Sequence, residues 1–370
     1  MIINRLLSPI IFLFLASYIY GQADTASYSL PDPVKCCEGS LIISEPIFTL
    51  ENSPTLRCHA STIEEINGGF IAAWFGGTRE GQADVKIWIS NNTRGNWSQP
   101  IEVVNGIQGN GLQYSCWNPV LFKPESGPLM LFYKVGPSPQ NWWGMLTTSD
   151  DSGKTWSKPI ELGTGIHGKL IGPAKNKPVQ LEDKTIICPA SIEYQDESGE
   201  LFWRVFFEIS GDGGKSWEAT GYINDGVKFD AIQPCILTHT GKRLQVLCRS
   251  RQNVITQSWS YDSGLTWSNM SATSLPNPDS GIDAVTLADG RHVLVYNHTQ
   301  SRSGFPEGRN MLNIAVSENG LNWKPVMTLE QQEGEYSYPS IIQSSDGLLH
   351  ITYTYRRRTV KHLVIDPESL

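Results

Sequence analysis

Apolar and polar positions divide this chain into one long apolar run and many short ones. The long run, Leu6 to about Ile19, follows Arg5 and leads into Tyr20-Gly21-Gln22-Ala23. A basic residue, a short apolar stretch and then small residues read as a signal peptide over residues 1–23, which predicts a secreted or periplasmic protein. No second apolar stretch of about 18 residues follows, so no integral membrane domain is expected. Further on, apolar residues gather in short β-rich runs such as Val120-Leu121-Phe122 and Ile341-Ile342-Gln343, set between polar turns. No helical periodicity of about ten residues or more interrupts them. The pattern predicts an all-β chain.

Two internal repeats turn that expectation into an architecture. The first is a turn, Ser149-Asp150-Asp151-Ser152-Gly153-Lys154-Thr155-Trp156, which recurs as Ser210 to Trp217 and as Ser260 to Trp267. Degenerate copies run from Ser317 to Trp323 and from Ser90 to Trp97. In such a turn Asp accepts backbone N–H bonds, Gly supplies a positive φ and Trp packs between neighbouring sheets. These aspartates are therefore turn formers. The second repeat opens a β-rich run after a short polar stretch. Its copies are Cys58-His59-Ala60, Trp117-Asn118-Pro119, Asn176-Lys177-Pro178, Ile232-Gln233-Pro234, Ile282-Asp283-Ala284 and Ser337-Tyr338-Pro339. Their central residues lie 59, 59, 56, 50 and 55 positions apart. Six such units, each long enough for a four-stranded antiparallel sheet, predict a six-bladed β-propeller. It forms a single domain over residues 41–370, preceded by an N-terminal extension over 24–40.

In a propeller the strands nearest the axis open at one mouth. The repeat register places His59, Asn118, Lys177, Gln233, Asp283 and Tyr338 around it. All six are polar, where a merely filled channel would accept apolar side chains, and this argues for a binding site. The bulk composition narrows the ligand. The formal net charge is -8 and no long basic run exists, so no nucleic-acid partner is expected. Arg356-Arg357-Arg358 reads as a solvated strand end or loop. None of the seven cysteines has zinc spacing and no glycine loop for a nucleotide appears, so no metal and no cofactor are expected. Cys235 and Cys248 flank one hairpin and form the first pair to expect as a disulfide.

The Asp-containing turns resemble those of sialidases (neuraminidases) and of the wider BNR-repeat proteins, over essentially the whole mature chain. The resemblance implies a glycan substrate and an exo-acting glycosidase for a terminal acidic sugar. It implies three arginines on the sugar carboxylate: Arg57 in Leu56-Arg57-Cys58-His59-Ala60, Arg249 or Arg251 in Cys248-Arg249-Ser250-Arg251, and Arg309 in Glu307-Gly308-Arg309-Asn310. Guanidinium forks bind carboxylates and keep their charge. It also implies Tyr338 as nucleophile, with Glu335 and Asp283 as candidate activators. A neutral phenol escapes the repulsion that a carboxylate would feel at an anomeric carbon already bearing one, and sialidases are the known exception to the two-carboxylate rule. The acid/base falls in Phe75 to Asp84, where Glu80 and Asp84 are both eligible. Two features depart from the family. The segment Phe229-Asp230-Ala231-Ile232-Gln233-Pro234 offers Asp230 or Gln233 where a glutamate is expected. His59 and Lys177 also face the mouth. A lyase on a uronic acid, with Tyr338 or His59 removing the proton, a hydrolase of another uronic-acid or deoxysugar glycan, and a non-catalytic carbohydrate-binding propeller are the competing expectations.

Overall fold

The computed structural model describes residues 30–35, 39–301 and 308–370; the expected signal peptide, Cys36 and Cys37 lie outside the described residues. Residues Pro31–Leu370 form one compact unit, a six-bladed β-propeller of antiparallel sheets. Blade I comprises Arg57–Ile66, Gly69–Gly77, Lys86–Thr93 and a fourth strand broken into Asn96–Trp97 and Ile101–Val104. Blade II comprises Ser115–Phe122, Leu129–Gly136, Trp143–Ser149 and Ile160–Glu161, and blade III comprises Val179–Gln180, Ile186–Gln195, Leu201–Ser210 and Glu218–Ala219. Blade IV comprises Ala231–Thr238, Leu244–Ser250, Val254–Ser260 and Ser271–Pro276. Blade V comprises Asp283–Thr286, His292–Asn297, Met311–Ser317 and Lys324–Gln331. Blade VI takes three strands from the carboxyl end, Tyr336–Gln343, Leu349–Tyr355 and Thr359–Ile365, and its outermost strand, Leu41–Pro46, from the amino end. That shared sheet closes the ring, so both ends of the propeller chain are held in one set of ladder hydrogen bonds. Residues 31–35 run on beside blade V, where Thr328 N donates to Val34 O at 2.9 Å and Gln331 Nε2 to Pro31 O at 2.6 Å.

Apolar side chains of adjacent blades interdigitate. Ile71, Ala73 and Phe75 of blade I, for example, share a cluster with Leu129, Leu131 and Tyr133 of blade II. Each large side chain so buried contributes about 1.5–3 kcal/mol. The repeated turns join the third and fourth strands on the face opposite the mouth. Ser149 Oγ accepts from Gly153 N at 2.8 Å, and Asp151 Oδ1 accepts from the backbone of Lys154 and Thr155 at 3.0 and 2.8 Å. Gly153 has φ +82°, and a Cβ there would stand 2.5 Å from Ile71 Cδ1 of the preceding blade. The turns at Asp212 and Asp262 repeat the pattern. In blade V Asn319 replaces the aspartate and still accepts from Leu321 and Asn322 N.

The five described cysteines, Cys58, Cys116, Cys188, Cys235 and Cys248, are free thiols buried between strands. The disulfide expected between Cys235 and Cys248 is therefore corrected. Both side chains belong to packed blade interfaces, in separate clusters with different neighbours.

Candidate active site at the propeller mouth

Four blades open their innermost strand with a β-bulge whose first unpaired residue is left-handed: Ala60 (φ 54°), Asn118 (36°), Gln233 (54°) and Tyr338 (53°). A non-glycine residue in this region costs of order 1–3 kcal/mol and persists where its surroundings hold it, which is common at functional sites. The bulge corrects the repeat register by one residue in blade I. Ala60 matches Tyr338, and His59 stands just before it.

The six expected mouth residues divide into two groups. Lys177, partly exposed, and the buried Asp283 form an ion pair at 2.9 Å, and Asp283 Oδ2 also accepts from Ile341 N at 2.9 Å. These bonds tie blades III, V and VI across the axis. The Asp283 contacts do not include the Tyr338 hydroxyl, and its Oδ1 is buried without a hydrogen-bond partner. Asn118 Nδ2 likewise donates to Ala174 O at 3.1 Å and links blade II to the segment entering blade III. Lys175, a residue the sequence reading passed over, reaches the carbonyls of Ile282, at 2.9 Å, and Pro339. Burial, opposed by Asp283, lowers the basicity of Lys175 to about 8.

The second group surrounds Tyr338. Its hydroxyl receives Arg249 Nη1 at 2.8 Å, with Gln233 Nε2 at 3.4 Å. The guanidinium carbons of Arg249 and Arg309 lie 5.6 and 5.4 Å from the Tyr338 ring centre, and the His59 ring lies 4.2 Å away. Arg309, fully buried, is held by Glu335 Oε1 at 3.1 Å and by Asp279 O at 3.1 Å. Asp279 Oδ1 stands 3.4 Å from Arg249 Nε. Burial raises the Asp279 carboxyl above its usual range, against the pull of Arg249 and Arg309. Burial also pushes Glu335 up, but the hydrogen bond and charge of Arg357, then Arg309, outweigh it and leave the group below the usual range.

Arg357 is another residue that sequence reasoning missed. Its Nε donates to Glu335 Oε2 at 2.7 Å and its Nη1 to Glu80 Oε2. The cluster Arg356-Arg357-Arg358 is not merely solvated: it is the connection between the second and third strands of blade VI, and such connections return to the mouth. Glu80 and Arg251 occupy the same kind of connection in blades I and IV, and that shared position is the signal that would have found Arg357.

His59 sits behind a cleft of about 480 Å³ that it lines together with Arg57, Phe75, Arg79, Glu80 and Arg357. Thr354 Oγ1 accepts from Ala60 N at 3.1 Å and lies 2.9 Å from His59 Nδ1. Burial first, then Arg357, Arg309, Arg249 and Lys175, holds this imidazole well below its ordinary basicity. Arg57 is exposed on the cleft rim. Asp84 is exposed and accepts from Thr78 N at 2.8 Å and from Thr78 Oγ1, which ties its own loop. Arg251 pairs with Asp230 at 2.7 Å and stacks 4.2 Å from the Trp203 ring, so neither contacts Tyr338. Glu193, half-buried, accepts from Gln140 at 2.9 Å; burial raises its carboxyl against Arg249 and Arg251.

A six-bladed ring with arginines converging on a tyrosine defines a sialidase-like propeller. The profile of the BNR repeat-like domain family matches residues 68–351, and the chain belongs to that family. A protein named Sialidase from Bacteroides fragilis (strain YCH46) is 23% identical over 364 residues, covering 89% of this chain; the chain spans only 61% of that relative. The solved structure of the Hadza microbial sialidase Hz136 superposes with a TM-score of 0.72 at 15% identity, covering 89% of this chain and 69% of its own. A Dyadobacter fermentans protein of unknown function gives 0.71 at 14%, covering 88% and 98%. The NanB sialidase of Streptococcus pneumoniae gives 0.69 at 12%, covering 88% and 71%. At these identities the structural likenesses establish the fold.

Proposed function

We propose that the chain is an exo-acting glycoside hydrolase of the sialidase type, releasing a terminal acidic sugar from a glycan. The observation that carries this reading is the 2.8 Å contact between Arg249 Nη1 and Tyr338 Oη, inside a shell that also holds Arg309. A donor aimed at the phenol oxygen stabilises the developing phenolate. The sugar carboxylate sits against Arg249 and Arg309, where burial strengthens the attraction. Tyr338 Oη gives its proton to solvent water and forms a bond to the anomeric carbon as the bond to the leaving oxygen breaks, and the proton returns when the tyrosine is released. Glu80, on the cleft-lining loop, gives that oxygen its proton. Water then displaces the tyrosine with Glu80 as base, and the anomeric configuration is retained. Gln233 Oε1, buried without a hydrogen-bond partner, is available to a substrate hydroxyl. The relatives called sialidases support the reaction class. The segment 1–23 suits an enzyme working outside the cytoplasm.

The test is a fluorogenic sialoside with the product anomer followed by NMR. Retention, abolished by Tyr338→Phe, is the expected result; inversion or unchanged turnover in that variant contradicts it. One observation favours a second reading. An amide, Gln233, rather than a carboxylate approaches the tyrosine hydroxyl. An arginine-stabilised phenolate is also a base for β-elimination from a uronic acid, and an ultraviolet rise from an unsaturated product would select that reaction.

A further inference from the structure

The arginines at the mouth are too many for one carboxylate, and they fall into two sets. Arg249 and Arg309 lie over Tyr338, buried, with acids of their own. Arg57, Arg79 and Arg357 line the neighbouring cleft, where Glu80 is the one acid among the lining residues. The guanidinium groups of Arg57 and Arg79 are exposed and have no ion pair among the described residues, whereas Arg357 is occupied on one edge by Glu335. Its other edge holds Glu80, a carboxylate of the chain itself, brought in by an exposed loop. That internal carboxylate marks where an external anion fits. The floor beneath it, Cys58, Phe75 and Val85, is apolar, and a cavity of this size takes a small ligand.

We infer that the cleft is a second anion subsite, which receives a carboxylate or sulfate on the sugar next to the one attacked by Tyr338. The inference rests on the glycosidase reading and narrows it: the substrate is a glycan with acidic groups on adjacent sugars. Binding exchanges Glu80 on Arg357 for the substrate anion, and Arg57 and Arg79 close on it from the rim. Release of Glu80 from Arg357 frees its carboxyl for the leaving oxygen.

The experiment uses matched disaccharides with the same acidic terminal sugar and a neighbour that is neutral, carboxylated or sulfated. The ratio of kcat/KM for acidic over neutral neighbours is expected to be about tenfold or more, the worth of one charge-assisted hydrogen bond. In Arg79→Ala that ratio falls towards one, and Arg79→Lys restores part of it. The two acidic arms decide between carboxylate and sulfate. Calorimetry of the same disaccharides on Tyr338→Phe protein reads the subsite without turnover, and there Glu80→Gln tightens the acidic ligand by freeing Arg357. If no disaccharide is cleaved but acidic ones bind tighter and Arg79→Ala abolishes the difference, the subsite stands and the hydrolase reading falls. Equal affinity and equal kcat/KM for neutral and acidic neighbours overturn the inference.

Discussion

The two faces of this propeller treat repetition differently. On the face of the Asp-containing turns, blades II, III and IV present the same serine, aspartate and glycine with the same hydrogen bonds at distances that agree within 0.2 Å. At the mouth four blades, I, II, IV and VI, contribute residues that share a backbone device, the left-handed bulge, and almost nothing else: Ala60, Asn118, Gln233 and Tyr338. A turn that closes on itself has one good solution, and each copy finds it. A mouth that must surround an asymmetric ligand has a separate task for each blade. Chemistry is therefore to be sought where the repeat is kept in backbone and broken in side chain.

Changes on the two faces should separate activity from stability. The largest effect is expected from Tyr338→Phe, which removes one hydroxyl at the mouth. Turnover of the acidic glycoside should drop by at least about 10⁴-fold, as for other lost nucleophiles, with an unaltered circular dichroism spectrum. Lys177→Met, in the channel, should do the reverse. It strands the Asp283 carboxylate in a buried site and costs about 3–5 kcal/mol by chemical denaturation, while the kcat of the folded fraction stays within a few-fold. A large kcat loss with normal stability would return Asp283 to the catalytic set. Gly153→Ala, on the opposite face, forces a Cβ onto Ile71 at φ +82°. It should cost about 1–3 kcal/mol and leave kcat/KM unchanged.

At neutral pH the smallest effect is that of the closing seam, which appears only on acidification. His350 Nδ1 and His362 Nε2 lie 3.0 Å apart, and His362 Nδ1 faces Glu45 of the amino-terminal strand at 3.3 Å. Burial, and for His350 next the charge of His362, holds both near 4, with Asp346 and Glu65 pulling His350 the other way. Their folded values lie below the ordinary 6.5, so the unfolded chain takes up more protons between the two. Stability is complete above about pH 6.5 and is lost as the pH falls towards 4. Denaturation midpoints measured across that range should show the slope, and His362→Phe should flatten it.

Much of the fold could be read from the chain, because a propeller writes its architecture as spacing. The Asp turns and the polar openings each gave the blade period, and the period implied the ring. The site was harder for an identifiable reason. Spacing tells which residues open an inner strand, but not whether their side chains turn into the channel or towards the rim. Lys177 and Asp283 satisfy the same pattern as Tyr338, yet they bond to each other across the axis. Arg357 was invisible as a single charge in a cluster of three; only the antiparallel return of its hairpin brings it to Glu335. The same holds for Arg251, whose place in the chain suits a substrate contact but whose partners are Asp230 and Trp203.

The central claim is that Tyr338, set in its arginine shell, is the atom that attacks the sugar. Its most direct test is intact-protein and peptide mass spectrometry after incubation with a fluorinated acidic-sugar analogue that forms the glycosyl-enzyme but is slow to leave it. A single adduct of the sugar's mass on the peptide carrying Tyr338, absent in Tyr338→Phe, is the predicted result. An adduct on another residue, or none while the natural substrate is still cleaved, would contradict it.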